Sequence, residues 1–258
     1  MSSLRQLVIG TALAFALLPQ AFAAESITVA AAADLNYALP ELAAQFERAT
    51  GTKVVLSFGA SGNLFSQIQN GAPFDLFFSA DEDYPKKLAA AAAIDASTLR
   101  TYAIGHLVLW VPANSPFEPA KVQIKLLTEP QVAKVAIANP QHAPYGHAAM
   151  AAIEHFGLKD NVGPKLVFGE NVSQAAQFAQ SGNAQASLIA LSLAKSPAMS
   201  SGKYWELPTD TYPELRQAAG IVSASKHKKE AQAFLDFVLS PEGARVLRKF
   251  GLTPPQKP

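Results

Sequence analysis

Short apolar runs rich in Val, Ile, Leu and Phe alternate along this chain with longer segments in which apolar residues recur every three or four positions. The runs predict strands and the periodic segments predict amphipathic helices. Strands are expected at residues 27–31, 53–58, 75–79, 106–111, 134–138, 165–168, 187–190 and 219–223. The first helix places Leu39, Leu42, Ala43 and Phe46 on one face, with Asn36 as its cap, Pro40 in its first turn and Gly51 after its last. Residues 229–239 and 242–250 read as a helix pair, with Pro241 opening the second helix and Gly251 closing it. Strand and helix in alternation predict α/β layers around mostly parallel sheets.

The N-terminal stretch follows a different pattern. Arg5, an apolar run over 7–18 and Ala21-Phe22-Ala23 have the order of a secretory signal peptide, expected to span 1–23. The run is shorter than the ~20 residues a membrane-spanning helix requires. The chain has no Cys, which removes disulfides, thiolate metal sites, cysteine nucleophiles and a cysteine-linked lipid anchor. About 235 residues follow the expected leader, enough for two lobes with separate cores. With 21 Lys and Arg against 20 Asp and Glu, the balance of charge gives no basic surface for nucleic acid or membrane.

Candidate chemistry lies where strands hand over to helices. Four junctions carry small or polar residues: Ala31-Ala32-Ala33-Asp34, Gly59-Ala60-Ser61-Gly62-Asn63, Ala143-Pro144-Tyr145-Gly146 and Glu170-Asn171-Val172-Ser173. Each would present free backbone N–H groups at a helix start, on the side of an α/β sheet where ligands bind. A single such turn is ordinarily a helix cap; four in one chain point to a small anion held by neutral donors. The five histidines, at 106, 142, 147, 155 and 227, lack metal-ligand spacing. The segment around Ser61 lacks both the last glycine of a nucleophile elbow and the Lys-Ser/Thr pair of a P-loop. A secreted hydrolase using Ser61, or a binding protein for sulfate, phosphate or an organic acid, remains an alternative at this level.

The runs Gly59-Ala60-Ser61-Gly62-Asn63-Leu64 and Gly71-Ala72-Pro73-Phe74-Asp75-Leu76-Phe77-Phe78-Ser79-Ala80-Asp81 resemble the periplasmic molybdate-binding proteins of ABC transporters. So do Ala32-Ala33-Asp34-Leu35, Tyr102-Ala103-Ile104-Gly105, the stretch from Asn139 to Gly146, and the ending from Gly243 to Gly251. The resemblance spans nearly all of the chain after the leader. It implies a two-lobed periplasmic binding protein fold of type II, each lobe a mixed, mostly parallel sheet flanked by helices. Lobe I would comprise 24–105 plus 217–258 and lobe II 106–216, with the chain crossing near Gly105 and returning near Gln217. The implied function is non-enzymatic: a monomer that binds molybdate or tungstate and delivers it to a membrane permease in the periplasm, without cofactor, lipid anchor or nucleic-acid partner.

Carried over by position, the oxyanion contacts fall on Asp34, Ser61, Tyr145 and Val172, with no direct ligand to the metal atom. Val172 would act through its N–H. A carboxylate beside a dianion repels it, so Asp34 is expected to offer its N–H while its side chain caps the helix. Many members have a tyrosine where this chain has Ala190, and Tyr145 is expected to supply the phenol instead.

Overall fold

The computed structural model describes residues 26–255, so the expected leader over 1–23 lies outside the described residues. Ten strands build two sheets. The first is ordered β2 (Lys53–Gly59), β1 (Ser26–Ala32), β3 (Leu76–Ser79), β10 (Leu215–Ile221) and β4 (Arg100–Gly105). The second is ordered β7 (Leu166–Gly169), β6 (Val135–Ala138), β8 (Ala186–Ala190), β5 (Leu107–Val111) and β9 (Lys203–Glu206). Helices flank both sheets, giving two α/β lobes. Each sheet is mixed as expected, but evenly: β1 runs parallel to β2 and β3, and β10 antiparallel to β3 and β4. In the second sheet β6 runs parallel to β7 and β8, and β5 antiparallel to β8 and β9.

All eight expected strands form, and two further strands, β4 and β9, join them. Both lie at a sheet edge, where one side needs no partner and a continuous apolar run is not required. The helix Ala38–Thr50 buries Leu39, Leu42, Ala43 and Phe46 as its periodicity predicts, and ends at Gly51 with φ 76°. Asn36 is not its cap: the helix starts without a side-chain cap, and Asn36 serves another contact described below. The C-terminal pair, Lys228–Leu239 and Pro241–Lys249, packs on the first sheet, with the Phe234 ring 5.1 Å from that of Phe46. Each fully buried residue of this kind contributes about 1.5–3 kcal/mol.

Register puts the four junctions opposite one another. Ala32 pairs with Gly59, so β1 and β2 end level and the Ala33–Leu35 turn and the Ser61–Gln69 helix leave side by side. Ala138 pairs with Gly169, so the helices Pro144–His155 and Val172–Gln180 leave the second sheet from one edge. The first sheet's strands pass directly into the second at Gly105–Leu107 and return between β9 and β10.

Candidate functional site

Asp34, Ser61, Tyr145 and Val172 line one small cavity between the lobes. All four are buried, and no Lys, Arg or His is among the lining residues. Among the described residues, no group of three or more His, Cys, Asp or Glu could hold a metal ion, and no helix is long and apolar enough to cross a membrane.

Each donor is prepared by its surroundings. Ser61 and Val172 are first residues of their helices, before any intrahelical bond to their N–H groups is possible. The Ser61 hydroxyl oxygen accepts from the Ala80 N–H at 3.0 Å, which leaves its hydrogen free to donate. Asn171 caps the next helix by accepting from the Ser173 and Gln174 N–H groups at 3.0 and 3.1 Å, so Val172 N–H is left for the cavity. Tyr145 is 1% exposed, and burial together with the nearby Asp34 pushes its phenol well above the ordinary value. It therefore stays a neutral donor. Gly105 makes room for it, because a Cβ there would collide with the Tyr145 hydroxyl.

Asp34 departs from expectation. Its turn is a three-residue 3-10 helix, and its carboxylate caps nothing. Oδ2 accepts instead from Gln217 Nε2 at 2.6 Å, while Oδ1 is buried with no hydrogen-bond partner. Gln217 is held in turn by Tyr102, whose hydroxyl is shared between Gln217 Oε1 at 2.8 Å and the Ser79 carbonyl at 3.1 Å. Gln217 also donates to the Tyr145 hydroxyl at 3.2 Å, across the two lobes. Burial raises the Asp34 carboxyl to about 7, partly offset by the Gln217 hydrogen bond. Two unit charges 4 Å apart near a protein surface interact by about 4 kcal/mol, so an ionised Asp34 would strongly oppose a dianion.

The lobes are latched around this cavity. Gly62 N–H donates to the His142 carbonyl at 2.8 Å, Asn36 Nδ2 to Ser173 Oγ at 2.9 Å, and Ser192 Oγ to the Asp34 carbonyl at 2.7 Å. A Cβ on Gly62 would lie 2.8 Å from that carbonyl and 2.6 Å from the Tyr84 hydroxyl, so the approach requires glycine. Ala190 is fully buried at the end of β8 and is not among the residues lining the cavity. Gln217, Tyr102 and Ser192 carry no motif. The signal that could have found Gln217 is a polar pair, Arg216-Gln217, interrupting an apolar strand.

A model of the bacterial extracellular solute-binding protein family matches residues 27–253, and the chain belongs to that family. It is a binding protein, not an enzyme. It is 39% identical over 250 residues to the molybdate-binding protein ModA of Azotobacter vinelandii, covering 96% of this chain and 97% of that one. To the molybdate-binding protein ModA of Rhodobacter capsulatus it is 37% identical over 230 residues, covering 89% and 88%. The solved structure of the Azotobacter vinelandii periplasmic molybdate-binding protein matches with a TM-score of 0.84 at 34% identity, covering 89% of this chain and all of that one.

Proposed function

We propose that this protein binds molybdate, and tungstate with it, in the cleft between its lobes and delivers the ion to the membrane permease of an ABC importer. The observation that carries this reading is the convergence of Asp34, Ser61, Tyr145 and Val172 on one small cavity without a single basic side chain. The names of the relatives supply the identity of the ion. The protein acts as a monomer in the periplasm, released there by removal of the leader and carrying no lipid anchor. The lobes meet at two crossings, near Gly105 and just before Leu215 where β10 rejoins the first sheet, and hinge there so that the latches form on closure.

The Ser61 N–H and hydroxyl, the Tyr145 phenol and the Val172 N–H surround the ion with hydrogen-bond donors. Hydrogen bonds to a charged group contribute about 1.5–3 kcal/mol each. Four such bonds contribute about 6–12 kcal/mol, a range that contains the roughly −8 kcal/mol of micromolar binding. A ring set to one ion size leaves buried donors unpaired around a smaller one, which disfavours sulfate. The hydrolase reading of Ser61 lacks support, since no histidine lines the cavity to serve as its base. Calorimetric titration with molybdate, tungstate, sulfate and phosphate tests the proposal. One strong site per chain for the first two is expected; equal heats from sulfate, or none from molybdate, would overturn it.

A further inference from the structure

The chemistry of Asp34 reaches beyond a contact list. Its carboxyl accepts from Gln217 of β10, with Tyr102 of β4 and Tyr145 of the Pro144–His155 helix close by, while Ser192 beyond β8 donates to its backbone carbonyl. Tyr102 and Tyr145, the titratable groups facing it, are both held protonated by burial, and Asp81 lies beyond Tyr102. No cation lines the cavity to neutralise a carboxylate. The two carboxyl oxygens are unequal. Oδ2 is occupied as an acceptor by Gln217, whose orientation is fixed by Tyr102, whereas Oδ1 is buried and unpartnered on a residue that lines the cavity, with the Tyr145 hydroxyl near the carboxyl. With Oδ2 taken as an acceptor, Oδ1 is the oxygen left to carry a proton on Asp34.

We propose that Asp34 holds the oxyanion as a neutral carboxylic acid donating from Oδ1, so that each dianion bound above neutral pH brings one proton from solvent into the closed cleft. The step is balanced: a carboxylate, a proton and a dianion become a carboxylic acid hydrogen-bonded to a dianion. The net charge added inside is then one negative rather than two, and the acid replaces the repulsion that a carboxylate would exert. The raised value of the buried carboxyl, about 7, agrees with this assignment. The inference rests on the oxyanion reading above and adds to it a specificity residue whose affinity depends on pH.

The test is calorimetry with molybdate at pH 8 in two buffers of different ionisation enthalpy, on the full-length mature protein. Uptake close to one proton per ion is expected, with affinity falling about tenfold per pH unit from 8 to 9. An Asp34→Asn protein should still bind, because its amide donates where the acid did, but with no proton uptake and a flat pH profile. A His147→Gln protein should keep the uptake, since its imidazole lies at an exposed position on the second lobe. Tight binding by the native protein without uptake overturns this inference and leaves the oxyanion function standing. Uptake that survives Asp34→Asn, uptake lost with His147→Gln, or a folded Asp34→Asn protein that cannot bind also overturns it. If the native protein binds no oxyanion, the function proposed above falls, and this inference falls with it.

Discussion

The Gln217 side-chain nitrogen donates to Asp34 Oδ2 at 2.6 Å, joining the middle of β10 to the turn after β1. Gln217 is completely buried, and β10 changes register between Gln217 and Ala218, so the strand is deformed where its polar side chain turns to the cleft. Through the Tyr145 hydroxyl the same amide reaches the second lobe. One side chain thus fixes the first lobe's carboxyl and meets the second lobe's phenol.

Replacing that amide with an apolar group of similar size exposes its role. Gln217→Leu leaves Asp34 Oδ2 buried without a donor, at a cost of about 1–3 kcal/mol for the unsatisfied group. Urea unfolding of the ligand-free protein should show a loss of that order, with an unchanged slope. No loss would mean that the cleft rehydrates freely around Asp34.

Ser61→Ala removes one hydroxyl donor and the acceptor for Ala80 N–H. Molybdate affinity measured by calorimetry should weaken by about 1–3 kcal/mol while the circular dichroism spectrum is retained. Unchanged affinity would place Ser61 outside the binding shell.

Gly62→Ala tests closure. The added methyl meets the His142 carbonyl only when the lobes are together, and the Tyr84 hydroxyl it also meets is the end of a flexible side chain. The variant should fold normally, lose about tenfold in affinity, near 1.4 kcal/mol, and show a smaller ligand-induced decrease in radius of gyration by solution scattering. Native compaction with native affinity would remove the Gly62 contact from the closure mechanism.

Asp34 also sets a pH dependence of stability. Its carboxyl rises on folding from 3.8 to about 7, so in that interval the folded state holds more protons than the unfolded chain. Stability contributed at this site is therefore greatest below about pH 4, declines as pH rises to about 7, and is constant above. Asp34→Asn should raise the Tm of the ligand-free protein at pH 8 and lose that advantage near pH 4. An advantage independent of pH would trace it to something other than ionisation of Asp34.

The strands that enclose the cores were legible because their apolar runs are short, several of them bounded by Gly, Pro or Asn, as 106–111 is by Gly105 and Pro112. The edge strands β4 and β9 were not: Arg100-Thr101 opens one, and Lys203 and Glu206 flank Tyr204-Trp205 in the other. The first half of β10 was lost for a reason tied to function, since Arg216 and Gln217 break its apolar pattern and Gln217 is the residue that serves the cleft. The four junctions could be read from their small residues, and register brings them together. Two side-chain roles could not be read. Asn36 looked like a local cap, yet its amide crosses to Ser173, 137 positions away. Asp34 likewise takes its partner from Gln217, 183 positions away. Local sequence favours the nearest backbone partner, and only the folded pairing of distant strands supplies the other.

The central claim, that neutral donors from both lobes surround the ion, is tested most directly by crystals grown with tungstate and measured for anomalous scattering from tungsten. The account predicts one strong peak per chain in the cleft, with the Ser61 hydroxyl and N–H, the Tyr145 hydroxyl, the Val172 N–H and the Asp34 carboxyl all at hydrogen-bond distance from its oxygens and no Lys or Arg in contact. A peak outside the cleft, or one coordinated by a basic side chain, would contradict it.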